Sequence, residues 1–177
     1  MMFSFFRASK SSSTELWQFR KKIEIANNKV IKRYYKWRYN RMQDRAGANI
    51  PLSAQFAEKP EFPHSIYGVF ISQGAVIGSG CTIFHQVTIG SNTLNDTKRE
   101  GAPRIGNNVY IGCGAKIIGG IKIGNNVRIG ANCVITEDIP DNCTVVMEKP
   151  RIIVHEIGRN NTFSKFGTDN SEILWGK

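Results

Sequence analysis

The sequence predicts a mainly β chain, a triangular coil of hexapeptide repeats preceded by an amphipathic helix, and three observations carry that expectation. Isoleucine recurs every six positions at Ile71, Ile77, Ile83 and Ile89, and again at Ile105, Ile111, Ile117, Ile123, Ile129 and Ile135. Four residues after most of them stands a second small or aliphatic residue: Ala75, Cys81, Val87, Val109, Ala115, Ile121, Val127, Cys133 and Ile139. Glycine directly follows many of the isoleucines, at Gly78, Gly90, Gly106, Gly112, Gly124 and Gly130. A period of six is neither the 3.6 of a helix nor the 2 of an alternating strand. It fits short strands joined by tight corners, each hexapeptide forming one flat side of the coil with its aliphatic residue stacked inside.

The elements follow in chain order. Residues 1–45 form a basic segment with a helix from Ser13 to about Arg45, because Leu16, Phe19, Ile23, Ala26, Val30, Tyr34 and Trp37 keep three/four spacing on one face. Ser13 or Thr14 is suited to cap its N-terminus. The opposite face is dense in Lys and Arg, and two readings stay open for it. The apolar stripe packs on the coil and leaves the charges solvated, or the segment lies against an anionic membrane surface. Residues 46–154 form the coil. Its corners need positive φ, which the Asn107-Asn108 and Asn125-Asn126 pairs and glycine tolerate. The register breaks once, since Ile89 to Ile105 is sixteen residues. The polar stretch 91–104 is therefore a loop thrown out from the coil, either a binding feature or a tolerated insertion. Residues 155–177 are a tail.

Composition excludes several classes. At 177 residues the chain holds one domain with an N-terminal appendage. No run of eighteen apolar residues is present and the N-terminus lacks a secretory pattern, so a cytoplasmic protein is expected, with membrane association left open for the basic segment. The net charge of +10 is uneven: residues 1–45 hold twelve Lys/Arg against three Asp/Glu, and the remainder holds twelve against eleven. No nucleic-acid-binding motif accompanies the charge, and no nucleic-acid partner is expected. Cys81, Cys113, Cys133 and Cys143 show no metal or disulfide spacing, and Cys81 and Cys133 fall on interior positions as small hydrophobes.

The residues from Phe62 to Val154 resemble the hexapeptide-repeat acyltransferases, in the branch of serine acetyltransferases and polysaccharide O-acetyltransferases. The likeness rests on His64-Ser-Ile-Tyr-Gly-Val-Phe-Ile-Ser, Cys81-Thr-Ile-Phe-His-Gln-Val-Thr-Ile-Gly90, Gly101-Ala-Pro-Arg-Ile-Gly-Asn-Asn-Val-Tyr-Ile-Gly112 and Gly114-Ala-Lys-Ile-Ile-Gly-Gly-Ile. It implies a left-handed parallel β-helix, a homotrimer with active sites between subunits, and acetyl-CoA as co-substrate lying in a groove along the coils. By position the resemblance puts Gly112, Gly114, Ala115, Gly130 and Ala131 in that groove, with turn geometry as the alternative reason for each glycine.

Acetyl transfer to a hydroxyl calls for a base, and histidine suits it. His64 stands where the resemblance puts the catalytic histidine, allowing one inserted residue. His85 lies twenty-one residues on, about one coil of eighteen, so the two are expected to share a cleft, His85 orienting substrate or serving as base itself. His155 falls in the tail and is read as structural. A zinc site needs three converging ligands, and no metal is expected.

Departures from serine acetyltransferases bear on the acceptor. Pro63-His64 stands where those enzymes carry Asp-His, Asn49-Ile50-Pro51 replaces a stretch whose Asp meets the amino acid, and Ala102-Pro103-Arg104 replaces their His-Pro-Lys. Asn49 and Arg104 are accordingly the candidate substrate-binding residues. Losing the carboxylate that meets an ammonium points to a neutral polyhydroxyl acceptor, a sugar of a bacterial surface polysaccharide or its precursor. Serine O-acetylation is the enzymatic alternative, and a catalytically inactive β-helix scaffold the non-enzymatic one.

Overall fold

A computed structural model describes residues 4–159 and residue 161, with residues 4–12 described through their backbone alone. The chain divides after Met147. Up to that point it is two helices followed by five coils of parallel strands; residues 148–159 carry neither helix nor strand. The tail beyond residue 161 lies outside the described residues.

The N-terminal segment is two helices where one was expected. Helix α1 spans Ser4–Ile25 and α2 spans Lys29–Ala46. The break comes at Asn28, whose side-chain oxygen accepts from the backbone N–H groups of Val30 and Ile31 and so starts a second helix. Gly47 ends it in the left-handed conformation at φ 56°, a position that favours glycine. Ser13 and Thr14 are not caps. They lie inside α1, Ser13 buried and the Thr14 hydroxyl accepting from Lys59 Nζ.

The break also resets the helical phase, so the expected stripe holds only in its first half. Leu16, Phe19 and Ile23 are buried, together with Trp17, whose ring meets Phe56 and Phe62 of the first coil. Val30, Tyr34 and Trp37 instead point outward, and α2 packs through Tyr35, Tyr39, Met42 and Ala46. Three buried polar groups join the helices to the coil, the first being Gln43, whose side-chain oxygen accepts from the Ile50 N–H. Arg20 donates to the carbonyls of Pro51, Leu52 and Ala54 at 3.1, 3.0 and 2.5 Å. Tyr39 donates to the Ile50 carbonyl at 2.7 Å, and burial holds that phenol above its ordinary pKa.

The first coil contributes β1 (Gln55–Phe56), flanked by the single bridges Asn49–Phe70 and Glu61–Thr82. The second holds β2 (Phe70–Ile71), β3 (Val76–Ile77) and β4 (Thr82–Ile83). In the third come β5 (Thr88–Gly90), β6 (Arg104–Ile105) and β7 (Tyr110–Ile111). The fourth has β8 (Lys116–Ile118), β9 (Lys122–Ile123) and β10 (Arg128–Ile129). The fifth has β11 (Val134–Ile135) and β12 (Thr144–Val145), with Ile139 bridged to Ile123 between them. Stacked coil on coil, these make three parallel sheets: β2-β5-β8-β11, β1-β3-β6-β9 and β4-β7-β10-β12.

All ten periodic isoleucines are buried, each paired in register with its equivalent one coil away, as Ile71 is with Ile89 and Ile89 with Ile117. Replacing one by alanine would cost about 2–5 kcal/mol, because an in-register stack cannot close around the void. Cys81 and Cys133 are buried free thiols within it, and burial raises the Cys81 pKa, which keeps it from being a nucleophile. At the corner before the third sheet, Asn108, Asn126 and Asn142 take φ of 54°, 56° and 60°. Their side-chain amides bond one another in a ladder at 2.9 Å per step. Asn107 and Asn125 act differently, since each side-chain oxygen accepts a backbone N–H from the preceding coil.

Candidate active site

The corner between the third and first sheets is longer at its first passage than at its later ones. From Glu61 to Phe70 is nine residues, where the same corner takes six from Thr82 to Thr88, from Tyr110 to Lys116 and from Arg128 to Val134. The three extra residues make two tight turns, closed by Ser65 N–H to the Phe62 carbonyl and Val69 N–H to the Ile66 carbonyl. Phe62, Ile66 and Val69 are buried and pin the turns to the core, while Ser65 (φ 60°) and Gly68 (φ 63°) reverse the chain. Gly68 lies so close to the next coil that an added Cβ would stand 3.2 Å from Gln86 Cγ. The result is that His64 is lifted out of the coil and set beside His85.

The two imidazoles meet Nδ1 to Nδ1 at 3.0 Å. His64 also stands edge-on to Phe84, 5.3 Å between centroids, and Phe84 stacks on to Tyr110 at 5.1 Å. Lys116 closes the corner from above, its ammonium donating to the carbonyls of Gln86 and Gly114 at 2.8 and 2.9 Å. Among the described residues no ion pair joins either histidine to a carboxylate.

The contact has a consequence for the hydrogens. Two Nδ1 atoms at hydrogen-bond distance share one proton, so one ring donates and the other accepts. The donor ring is left with a bare Nε2, a base; the acceptor ring carries Nε2–H, a donor. A single contact thus gives the cleft both functions.

The remaining sequence candidates are spread more widely, although the Gly114 N–H donates to the His85 carbonyl at 3.0 Å. Arg104, exposed at the start of β6, lines a cleft of about 640 Å³ with Gln73, Asn92, Glu100, Lys122 and Asp138; neither histidine lines it. Asn49 is in the first coil, bridged to Phe70. Of the five groove candidates, Gly112, Gly114 and Ala115 are buried. A Cβ at Gly112 would stand 2.7 Å from the Ala131 nitrogen, and one at Gly114 would collide with the Asn132 side chain, so stacking of successive coils explains both glycines. Gly130 is half-buried and Ala131 exposed, and these two do reach the surface of the corner. His155 lies beyond Met147, its Nδ1 3.1 Å from an Arg159 guanidinium nitrogen. Sequence reasoning missed Phe84, Tyr110 and Lys116, whose signal is a large residue at the outward position before an interior isoleucine or its corner.

The loop is anchored at its base by paired N–H···O bonds between Asn92 and Gly101, 2.9 and 2.8 Å. It is strapped to the two coils that follow by Arg99, whose guanidinium meets Asp138 of the fifth at 2.7 Å and whose carbonyl accepts from Gly120 of the fourth. A Cβ at Gly120 would collide with the Glu100 carbonyl oxygen, so the loop's path requires glycine there. Among the described residues no group of three or more His, Cys, Asp or Glu gathers to hold a metal.

Comparison with known proteins agrees with the fold. The family described as Bacterial transferase hexapeptide (six repeats) matches residues 102–137. A serine acetyltransferase of Synechococcus elongatus is 45% identical over 107 residues, 60% of this chain and 43% of that protein. The putative colanic acid biosynthesis acetyltransferase WcaB of Escherichia coli is 42% identical over 91 residues, 51% of this chain and 54% of its own. Among solved structures, serine acetyltransferase isoform 3 of Entamoeba histolytica, in complex with cysteine, superposes with a TM-score of 0.65 and 30% identity, covering 82% of this chain and 51% of that one. The chain spans about half the length of the relatives it matches. Repeat, relatives and fold converge: the coils form a left-handed parallel β-helix of hexapeptide repeats, similar to that of serine acetyltransferases and to a putative colanic acid biosynthesis acetyltransferase.

Proposed function

We propose that the protein is an acetyl-CoA-dependent O-acetyltransferase, and the observation that carries the reading is the imidazole pair His64–His85 at 3.0 Å on an exposed corner. His64 acts as base. With its Nδ1–H donated to His85, its Nε2 removes the proton of an acceptor hydroxyl as that oxygen attacks the thioester carbonyl carbon. The tetrahedral intermediate collapses with cleavage of the C–S bond, and the departing thiolate takes the proton back from His64. His85, fixed as the Nε2–H tautomer, donates to the acceptor or to the developing oxyanion. Gly130 and Ala131, further along the same corner, offer backbone against which the pantetheine arm of acetyl-CoA lies. The functional unit in this reading is a homotrimer in the cytoplasm, with a neighbouring subunit closing the exposed corner.

Most relatives carry the name serine acetyltransferase, and they favour L-serine as acceptor over the sugar expected from the sequence. The sugar keeps a place for a specific reason: Asn49 stands where a carboxylate would meet an ammonium, neither histidine has a carboxylate partner among the described residues, and WcaB is a relative of the same standing. Thiol release from acetyl-CoA, measured with L-serine and with a panel of sugars and surface-glycan fragments, decides between them. Turnover with either acceptor that is lost in His64→Ala supports the transferase reading. Absence of both turnover and acetyl-CoA binding would leave a scaffold.

A further inference from the structure

We propose that the outward face of α2 is a docking surface for an anionic membrane. The helix is apolar on two opposite sides. Tyr35, Tyr39, Met42 and Ala46 pack inward. Val30, Tyr34 and Trp37 follow one another at steps of four and three on the reverse side and are 77%, 51% and 53% exposed. Ile25 at the end of α1 and Ile31 at the start of α2 are exposed as well. An inward-facing stripe explains one side of the helix; the other stays exposed among the described residues.

What flanks the stripe identifies the occupant. Helix α2 carries seven cations and one anion, Asp44. Of these, Arg38 is engaged with Glu15 at 3.0 Å, while Lys29, Arg33, Lys36, Arg41 and Arg45 are exposed. Arg41 lies 5.6 Å over the Trp37 ring, and Tyr34 and Trp37 are neighbours at 6.1 Å. Tryptophan and tyrosine settle at the headgroup level of a bilayer, aliphatic side chains enter just below it, and Lys and Arg meet lipid phosphates above. A second copy of the same helix would set its exposed cations against their like, with Asp44 alone on each to relieve them. A nucleic acid would satisfy the cations and leave Ile25, Val30 and Ile31 in water. No helix among the described residues is long and apolar enough to cross a membrane, so the association is peripheral. The docking face is the same whichever acceptor the corner uses.

The test is co-sedimentation of the full chain with vesicles of phosphatidylcholine, alone or with 30 mol% phosphatidylglycerol. Binding to the anionic vesicles at least about tenfold tighter than to the neutral ones is expected, weakening as salt is raised through 0.5 M. The double variant Tyr34→Ser/Trp37→Ser and the pair Arg33→Glu/Arg41→Glu should each lower that binding about tenfold or more. All four positions are exposed, and unchanged far-UV circular dichroism checks that the fold is kept. Failure of the wild type to bind, equal binding by the variants, or retention on RNA without retention on vesicles would each overturn the proposal. So would a change of oligomeric mass in the variants without a change in vesicle binding, which would make the stripe a protein interface.

Discussion

At the scale of single residues, the proposed site turns on a partner rather than on a lone base. If His85 holds His64 in the tautomer with a bare Nε2, an acceptor atom at position 85 should be enough. His85→Gln, whose amide oxygen can receive the His64 Nδ1–H, should keep most of kcat. His85→Leu should lose about 10²-fold, and His64→Ala about 10²- to 10⁴-fold, with KM for acetyl-CoA little changed. Steady-state kinetics on the three variants checks this, and equal loss in His85→Gln and His85→Leu would reduce His85 to a packing residue. A second prediction concerns acid. Asp138 is held below the ordinary carboxylate pKa by the Lys122 N–H it accepts, aided by Arg99; Asp141 is lowered likewise by the Asn125 N–H. A depressed folded-state pKa stabilises above the unfolded value of about 3.9 and is lost as the pH falls through the lower, folded value. Thermal denaturation followed from pH 6 downward should therefore show little loss from this source until below about pH 4, and Asp138→Asn should flatten the acid limb. The spacing of twenty-one residues is enough to place the two histidines one coil apart. Their direct contact depends on a three-residue extension that only the strand register reveals. Phe84 and Tyr110 gave only a weak signal, their size, because outward positions carry no periodic constraint.

At the scale of elements, the coil was legible and the helices were read only in part. A parallel coil imposes its period on every interior position, so ten isoleucines in register leave no other placement. A helical stripe is weaker evidence, since Leu16 through Trp37 fit one uninterrupted helix as well as two. The single cap at Asn28 that rotates the second half of the stripe outward gives little signal among several asparagines. The loop, read as an excursion with an open purpose, is tied to the fourth and fifth coils through Arg99, Asp138 and the Gly119–Gly120 corner. Gly120→Ala should push the loop off that corner. Its expected signature is faster cleavage within residues 91–103 by a protease of broad specificity, with the melting temperature of the coil changed by no more than a few degrees. Cleavage at the wild-type rate would mean that the loop finds another path.

At the scale of the whole molecule, the two ends of the coil are unequal. The first coil is covered by α1 and α2 through Leu16, Trp17, Ile23 and the Arg20 and Tyr39 bonds, whereas the last leaves Val146 and Met147 exposed. In a stack where each rung contacts only its neighbours, opening starts at the less covered end. Hydrogen exchange should accordingly run earliest in β11 and β12 and latest in β2 and β5, and uniform protection would contradict it. The even spacing of the later coils reaches further. From β6 to β9 and from β7 to β10 is eighteen residues, so a tandem copy of residues 106–123 would enter as one whole coil with its asparagine ladder continued. The chain is in this sense a ruler to which a graduation of about 4.8 Å can be added. The added rung would leave both histidines untouched while carrying Gly130 and Ala131 one step away from them. A lengthened protein that melts as before yet no longer transfers acetyl groups would show that reach, counted in rungs, is what the enzyme measures.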